Sequence, residues 1–268
     1  MYKFLVPLIV VGALSSPLLA VAADTTSEHT ITGNMGLFSN YRFRGIDQTF
    51  GQPALQGGID YAHSSGIYFG NWNSNVQQGA GYPDAGLEMD FYGGYKTTVG
   101  RFGLDVGVIH YSYPGSDSAA GKIGAPTNYQ DGRVHSGTVN NTEFYLGASW
   151  EMLSAKYYHA VSDYFSTPGT RDSGYLDIAF SHDLGDGWGI NGHAGYLNFQ
   201  NQMDGDYADW RLGVRKDLNG WVLAAAYVDT NAKGNCVTAQ TYCFANSSGS
   251  DTKDAGKETL VVSIGGSF

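Results

Sequence analysis

Charged side chains occur at every second position in several segments of this 268-residue sequence, a spacing that places them on one face of a β-strand. Arg42 and Arg44 are one such pair, and Glu88 and Asp90 are another. Bases and acids facing each other across a water-filled space would set up a transverse field that selects solutes by charge. An alternative is an interior filled by salt bridges, as in small barrels whose side chains occupy the bore. The charged residues assigned to this wall are Arg42, Arg44, Asp60, Glu88, Asp90, Lys96, Asp105, Glu143, Lys156, Asp177, Asp209, Arg211 and Arg215.

The positions between these charges are largely apolar, which indicates strands with two different faces. In the first segment, Ile31, Met35 and Leu37 alternate with polar residues, and the alternation predicts one strand from His29 to Arg44. Eleven further segments repeat the pattern, which predicts an all-β protein: a single transmembrane antiparallel barrel of about twelve strands. The predicted strands are 29–44, 54–62, 66–76, 87–96, 102–113, 141–150, 153–163, 173–181, 188–198, 207–215, 221–229 and 258–268.

The connections between these strands alternate in length. Short turns are predicted at 63–65, 98–101, 151–152, 182–187 and 217–220, and longer loops at 45–53, 77–86, 114–140, 164–172, 199–206 and 230–257. Bacterial barrels place short turns in the periplasm and long loops outside, so both chain ends are expected on the periplasmic side. Phe102, Trp150, Trp188 and Trp221 adjoin short turns, as the aromatic girdle of a membrane barrel requires.

Both ends of the sequence indicate export. Lys3, an apolar run from Phe4 to Leu14 and small residues up to Ala22 predict a signal peptide over 1–22, leaving a barrel domain of 23–268. The last segment has apolar residues at every second position and ends in phenylalanine, which resembles the assembly signal of bacterial outer-membrane proteins. We therefore expect a bacterial outer-membrane location, with membrane lipid, lipopolysaccharide and the barrel-assembly machinery as partners. The residues of this signal are Leu260, Val262, Ile264 and Phe268.

Other chemistry has little support in the sequence. A net charge of −10 without a basic stripe argues against a nucleic-acid partner. No G-x-S-x-G or H-E-x-x-H motif occurs, and no cofactor or metal site is predicted. His110 and Ser112 share a face, but residues two apart on a strand are separated by roughly 6.6 Å, too far for the histidine to activate the serine. Cys236 and Cys243 would reach an oxidising compartment, so we expect them to form a disulfide.

The stretch Ser-Asn-Tyr-Arg-Phe-Arg-Gly at 39–45, followed by Gln-Pro-Ala-Leu-Gln-Gly at 52–57 and Gly-Ile-Tyr-Phe-Gly-Asn-Trp at 66–72, carries a family resemblance. It resembles the opening of the TorF-type family of proteobacterial porin-like proteins, also called Gcw_chp. The resemblance extends through Glu88-Met89-Asp90 to the terminal Phe268. It implies an outer-membrane location and a pore-forming role, and it supplies neither a substrate nor catalytic residues.

Together these patterns predict a passive pore for small hydrophilic solutes that is not an enzyme. Two alternatives remain open. One is a non-enzymatic surface protein whose 114–140 and 230–257 loops bind a partner. The other is an outer-membrane lipid hydrolase that depends on His110 or His159.

Overall fold

The structure, a computed structural model, describes residues 27–78, 85–116 and 137–268. The predicted signal peptide over 1–22 and the middle parts of the predicted 77–86 and 114–140 loops lie outside the described residues.

Twelve antiparallel strands form a closed barrel in which each strand pairs with its neighbours in chain order. The predicted all-β fold and the strand number are therefore confirmed. The barrel strands are β1 (His29–Phe38), β4 (Ala54–His63), β5 (Ile67–Asn75), β6 (Leu87–Val99), β7 (Phe102–Ser112), β8 (Asn140–Trp150), β9 (Leu153–Ala160), β10 (Gly174–Gly185), β11 (Trp188–Asn198), β12 (Tyr207–Leu218), β13 (Trp221–Thr230) and β16 (Thr259–Ser267).

The two faces of each strand have different surroundings, as β12 illustrates. Trp210 and Leu212 are 40% and 61% exposed on the outer surface, whereas Asp209 and Arg211 are 1% and 8% exposed inside. A shift of one residue in strand pairing would turn the charges outward and the apolar residues inward, so this pattern determines the register. No helix in the described part of the chain has the length and hydropathy needed to cross a bilayer.

The first and last strands close the barrel. Asn34 lies opposite Ser267 in the β1–β16 ladder. The ladder continues one pair further, because Gly33 and Phe268 exchange two backbone hydrogen bonds of 2.8 and 2.9 Å. A Cβ on Gly33 would lie 2.6 Å from Cε2 of Phe268, because the terminal ring crosses β1 directly over this glycine. Phe268 thus takes part directly in barrel closure.

Short turns gather at one end of the barrel, the short-turn end, and the longer connections at the other, the long-loop end. In two of the turns, Asp186-Gly187 and Asn219-Gly220, both residues have positive φ, as a tight type I′ hairpin turn requires. The girdle aromatics occupy this rim as predicted, with exposed side chains at Phe102, Trp150, Trp188 and Trp221.

The predicted first strand is wrong in its last third. β1 ends at Phe38, and the chain then turns into the lumen as a small hairpin formed by β2 (Arg42–Phe43) and β3 (Ile46–Asp47). Residues 40–49 are buried at odd and even positions alike, which is unlike a wall strand. Arg42 and Arg44 are therefore not wall residues. The alternation continues past Phe38 because a hairpin strand is also extended, so its period of two does not reveal the change of direction.

The long connection between β13 and β16 has its own structure. Cys236 and Cys243 form the expected disulfide, and β14 (Cys243–Ala245) pairs with β15 (Thr252–Asp254). Tyr242 is buried, donates a hydrogen bond to the carbonyl oxygen of Gly205, and its ring packs 4.9 Å from that of Tyr207. These contacts attach the disulfide-bonded loop to the long-loop end of the barrel.

Candidate functional site

The inward hairpin, residues 39–53, turns at Arg44 and Gly45. Their φ angles are +48° and +80°, the sign that a two-residue type I′ turn requires at both positions. A left-handed backbone at a residue other than glycine costs about 1–3 kcal/mol and persists where surrounding contacts determine it. The contacts of Arg44 described below hold its backbone in this conformation.

The Arg44 guanidinium binds Glu143 of the opposite wall in a bidentate ion pair. Nη2 lies 2.7 Å from Oε2 and Nη1 lies 3.0 Å from Oε1. Nη1 also donates to the Tyr164 hydroxyl at 2.9 Å, and the guanidinium carbon lies 4.2 Å from the centre of the Tyr175 ring. Ring faces attract cations, and bidentate geometry is the strong form of the arginine–carboxylate pair. One side chain thus connects the hairpin to β8, β10 and the 161–173 loop.

The pair is almost completely buried, with side-chain exposures of 5% for Arg44 and 1% for Glu143. Burial by itself lowers the pKa of Arg44, but Glu143 and the hydroxyls of Tyr164 and Tyr111 outweigh it and raise that pKa well above its ordinary value. The guanidinium therefore stays charged. The backbone is held as well, because the Tyr207 hydroxyl donates to the Arg44 carbonyl oxygen at 2.8 Å.

Two further contacts attach the hairpin to other elements. The Tyr41 hydroxyl donates to Oε1 of Glu88 on β6 at 3.0 Å. Asp47 pairs with Lys253 of β15 at 2.6 Å. Burial would raise the pKa of Asp47, but Arg42 and Lys253 outweigh it and lower that pKa. The disulfide-bonded loop and the inward hairpin therefore form one connected structure at the long-loop end.

Arg42 has a role unlike the predicted one. Its Nη1 donates to the carbonyl oxygens of Ala255 and Lys257 at 2.9 and 3.0 Å, and its Nε donates to Asn40 at 2.5 Å. Arg42 thus connects the hairpin to the end of the β13–β16 connection.

The other eleven predicted wall residues lie on barrel strands with their side chains toward the interior, where several are paired. Lys156 binds Asp105 at 2.7 Å, and the Tyr92 hydroxyl donates to Asp60 at 2.5 Å. The residues of this inward set are Asp60, Glu88, Asp90, Lys96, Asp105, Glu143, Lys156, Asp177, Asp209, Arg211 and Arg215. Their role in conduction stays a prediction.

Side-chain exposure inside the barrel differs between the two ends. Asp105 and Lys156, near the short-turn ends of β7 and β9, retain 14% and 16% exposure. Glu88, Asp90 and Glu143, nearer the long-loop end, retain between 0% and 2%. The inward hairpin contacts two members of this second group, Glu88 through Tyr41 and Glu143 through Arg44.

Sequence reasoning missed the tyrosines that fill the interior. Eleven tyrosines of the described chain are buried. Several lie over a glycine of the adjacent strand: a Cβ on Gly195 would lie 2.0 Å from the Tyr175 hydroxyl, and one on Gly107 would lie 2.4 Å from that of Tyr145. Tyrosine and glycine at inward positions were visible in the alternation and could have predicted a partly filled bore.

Two histidines of the barrel strands have polar partners on neighbouring strands. His193 faces the interior, where its Nε2 lies 2.9 Å from Asp209 and its Nδ1 lies 3.3 Å from Asp177. His110 Nδ1 lies 2.9 Å from Oγ1 of Thr142 on the neighbouring strand.

We predict that Gly45→Ala displaces the tip of the inward hairpin. A Cβ at this position would lie 2.4 Å from Thr230 Cγ2 and 2.8 Å from Asp209 Cβ, and φ is +80°. Overpacking of this kind costs typically ~1–3 kcal/mol. Gly169→Ala is the matched control, since its φ is +74° and its Cβ would meet nothing within 4 Å. Urea titration of both variants should show the larger loss for Gly45→Ala; equal losses would mean that backbone strain, not contact with the wall, explains the effect.

A closed twelve-stranded antiparallel barrel with an apolar outer surface and a charged interior is the architecture of outer-membrane barrels, the class that includes porins. The chain belongs to the Gcw_chp family, described as bacterial protein of unknown function, whose model matches residues 22–268.

Solved structures with a similar fold include the NanC porin, with a TM-score of 0.50 at 9% identity over 89% of this chain and 99% of that one. The KdgM porin has a TM-score of 0.49 at 9% identity, with the same coverages of 89% and 99%. OmpT of Vibrio cholerae has a TM-score of 0.43 at 11% identity over 90% of this chain and 97% of that one. No curated protein sequence matches the chain. At these identities the likeness concerns the fold alone.

Proposed function

We propose that this protein is a non-enzymatic outer-membrane channel through which small hydrophilic solutes diffuse passively, and that the inward hairpin forms its constriction. The observation that carries the proposal is the interior itself. Charged and hydroxyl groups extend along it from Asp105 and Lys156 at the short-turn end to Arg44 and Glu143 under the hairpin. A barrel without a transport role could fill the same space with apolar side chains.

The partial exposure of Asp105 and Lys156 supports an aqueous lumen toward the short-turn end, and the buried inward hairpin occupies the lumen toward the long-loop end. Bacterial barrels usually have short turns on the periplasmic side and long connections outside. This orientation would place the constriction near the extracellular mouth.

Arg42 and Arg44 lie inside the lumen although they are not part of the barrel wall. Bases and acids therefore stay close to balance, which favours weak ion selectivity.

Planar-bilayer recording tests the proposal. Purified protein whose folding has been verified should give stepwise conductance, and a reversal potential close to zero in a salt gradient would show weak selectivity. The matched variant lacks residues 40–52 and joins Ser39 to Pro53 through a short glycine-serine linker; it should give larger steps. If neither protein conducts while both barrels are folded, the channel proposal is wrong.

A further inference from the structure

The outer rim at the short-turn end carries a cluster of potential metal ligands that the channel does not use. His29 and His63 lie directly opposite each other in the β1–β4 ladder, with ring centroids 5.1 Å apart. Glu28 immediately precedes β1 at a bend, and its carboxylate turns toward the two rings. One ligand atom from each residue can be chosen so that all three lie within 4.8 Å of one another.

We propose that Glu28, His29 and His63 form a binding site for a divalent transition-metal ion, with Zn²⁺ as the representative ion. Two imidazoles and one carboxylate are a known protein ligand set for zinc, which leaves a fourth position for water or another ligand. Imidazole ligands select zinc, copper and nickel over magnesium and calcium.

The distances within the cluster suit such an ion. Nε2 of His63 lies 3.2 Å from Oε1 of Glu28. Ligand bonds of about 2.0–2.2 Å in a tetrahedron place neighbouring ligand atoms roughly 3.3 Å apart. A metal ion can therefore replace the proton that these two atoms share, and the ligand atom of His29 lies within 4.8 Å of both.

Groups around the cluster can orient both rings. Nδ1 of His29 lies 2.8 Å from the Tyr61 hydroxyl, which can accept its proton. Nδ1 of His63 lies 2.7 Å from Oγ of Ser65 and accepts from the Ser65 amide at 3.1 Å, so metal binding through Nε2 of His63 would move a proton to Nδ1 and replace the amide contact by donation to Oγ. An imidazole that binds a metal through Nε2 carries its proton on Nδ1 and donates it to such an oxygen, which fixes the tautomer and the ring plane.

The backbone of all three ligands is also held in place. The Ser64 amide donates to the Glu28 carbonyl oxygen at 2.9 Å, which extends the β1–β4 pairing past His29. His29 and His63 are paired through the ladder itself. Because the β1–β4 register sets the ligand positions, the site exists only in the folded protein.

Isothermal titration calorimetry with ZnCl₂ alone tests the site, using protein without a histidine tag. We expect about one ion per chain from His₂-carboxylate ligation. His29→Ala and His63→Ala should each abolish this binding step, Glu28→Gln should weaken it, and Tyr61→Phe should weaken it by about tenfold through loss of the Nδ1 acceptor. His182→Ala is the matched control, because His182 is an exposed histidine near the same end of the barrel.

Titration with CoCl₂ provides a second readout, since histidine coordination changes the visible absorption of Co²⁺. CaCl₂ should give no binding at this site, because calcium prefers oxygen ligands. The proposal is overturned if the native chain shows no saturable Zn²⁺ binding, or if the double variant His29→Ala/His63→Ala binds Zn²⁺ as tightly as the native chain. Far-UV circular dichroism of every variant shows whether weaker Zn²⁺ binding results from the missing ligand or from an unfolded barrel.

Discussion

Replacing Arg44 with alanine should increase single-channel conductance several-fold and lower the free energy of unfolding by about 3 to 5 kcal/mol. The substitution leaves the Glu143 carboxylate buried at 1% exposure without its bidentate partner. It also removes the cation that lies 4.2 Å from the Tyr175 ring centre. The hairpin tip would then lose its attachment to β8 and move out of the constriction. Bilayer recording and urea titration in the same detergent measure the two effects.

A double-mutant cycle made of Arg44→Met, Glu143→Leu and the double variant separates the ion pair from the general loss of a large side chain. Arg44→Met/Glu143→Leu replaces both charges by apolar groups of similar volume, which is often neutral for a buried pair. We expect this double variant to recover most of the stability that Arg44→Ala loses. Lys233→Ala removes an exposed pair with Asp204 and should change neither measurement, since surface pairs contribute about 0–1 kcal/mol. Unchanged conductance in Arg44→Ala would show that the Arg44–Glu143 pair does not hold the inward hairpin in the constriction.

Leu212→Arg should lower the free energy of unfolding from lipid bilayers by about 2 to 4 kcal/mol, the second largest effect we expect. Leu212 is 61% exposed in the middle of the outer face of β12. If this face contacts lipid, as proposed, a guanidinium placed there must leave water for hydrocarbon. Equilibrium unfolding from phospholipid vesicles measures the cost.

Leu184→Arg is the positional control for that substitution. Leu184 is similarly exposed, at 55%, but it lies beside the Asp186-Gly187 turn at the rim. Near the interface the same change should cost only about 0–1 kcal/mol. Equal costs at the two positions would contradict a membrane-embedded outer belt, because only a bilayer makes the cost depend on depth.

Much of the architecture was predictable because the residue pattern of a barrel strand follows directly from the geometry of the strand. An apolar outer face and a polar inner face impose a period of two, and tight turns require residues that tolerate positive φ, such as Asn219-Gly220. These are local signals. They were sufficient for twelve strands, for the direction of each side chain in the wall, and for the closing strand that ends at Phe268.

Local signals also explain the one clear error. The two strands of the inward hairpin, Arg42–Phe43 and Ile46–Asp47, are as extended as β1, so their alternation does not distinguish a hairpin inside the barrel from a longer wall strand. One sequence feature could have indicated the hairpin: Arg44-Gly45 can form a tight turn, and it lies at the end of the predicted strand. Glycine at Gly45 combines positive φ with close packing against Thr230, a contact between residues far apart in the sequence.

The sequence by itself determined which residues face inward or outward, because that depends on the parity of a position within its strand. Only the tertiary structure decided which residues meet. Arg44 binds Glu143, 99 residues away, and His29 lies beside His63 through strand register. The first pairing depends on the path of the inward hairpin across the lumen, and the second on the register between β1 and β4. Both depend on long-range contacts that no single segment of the sequence specifies.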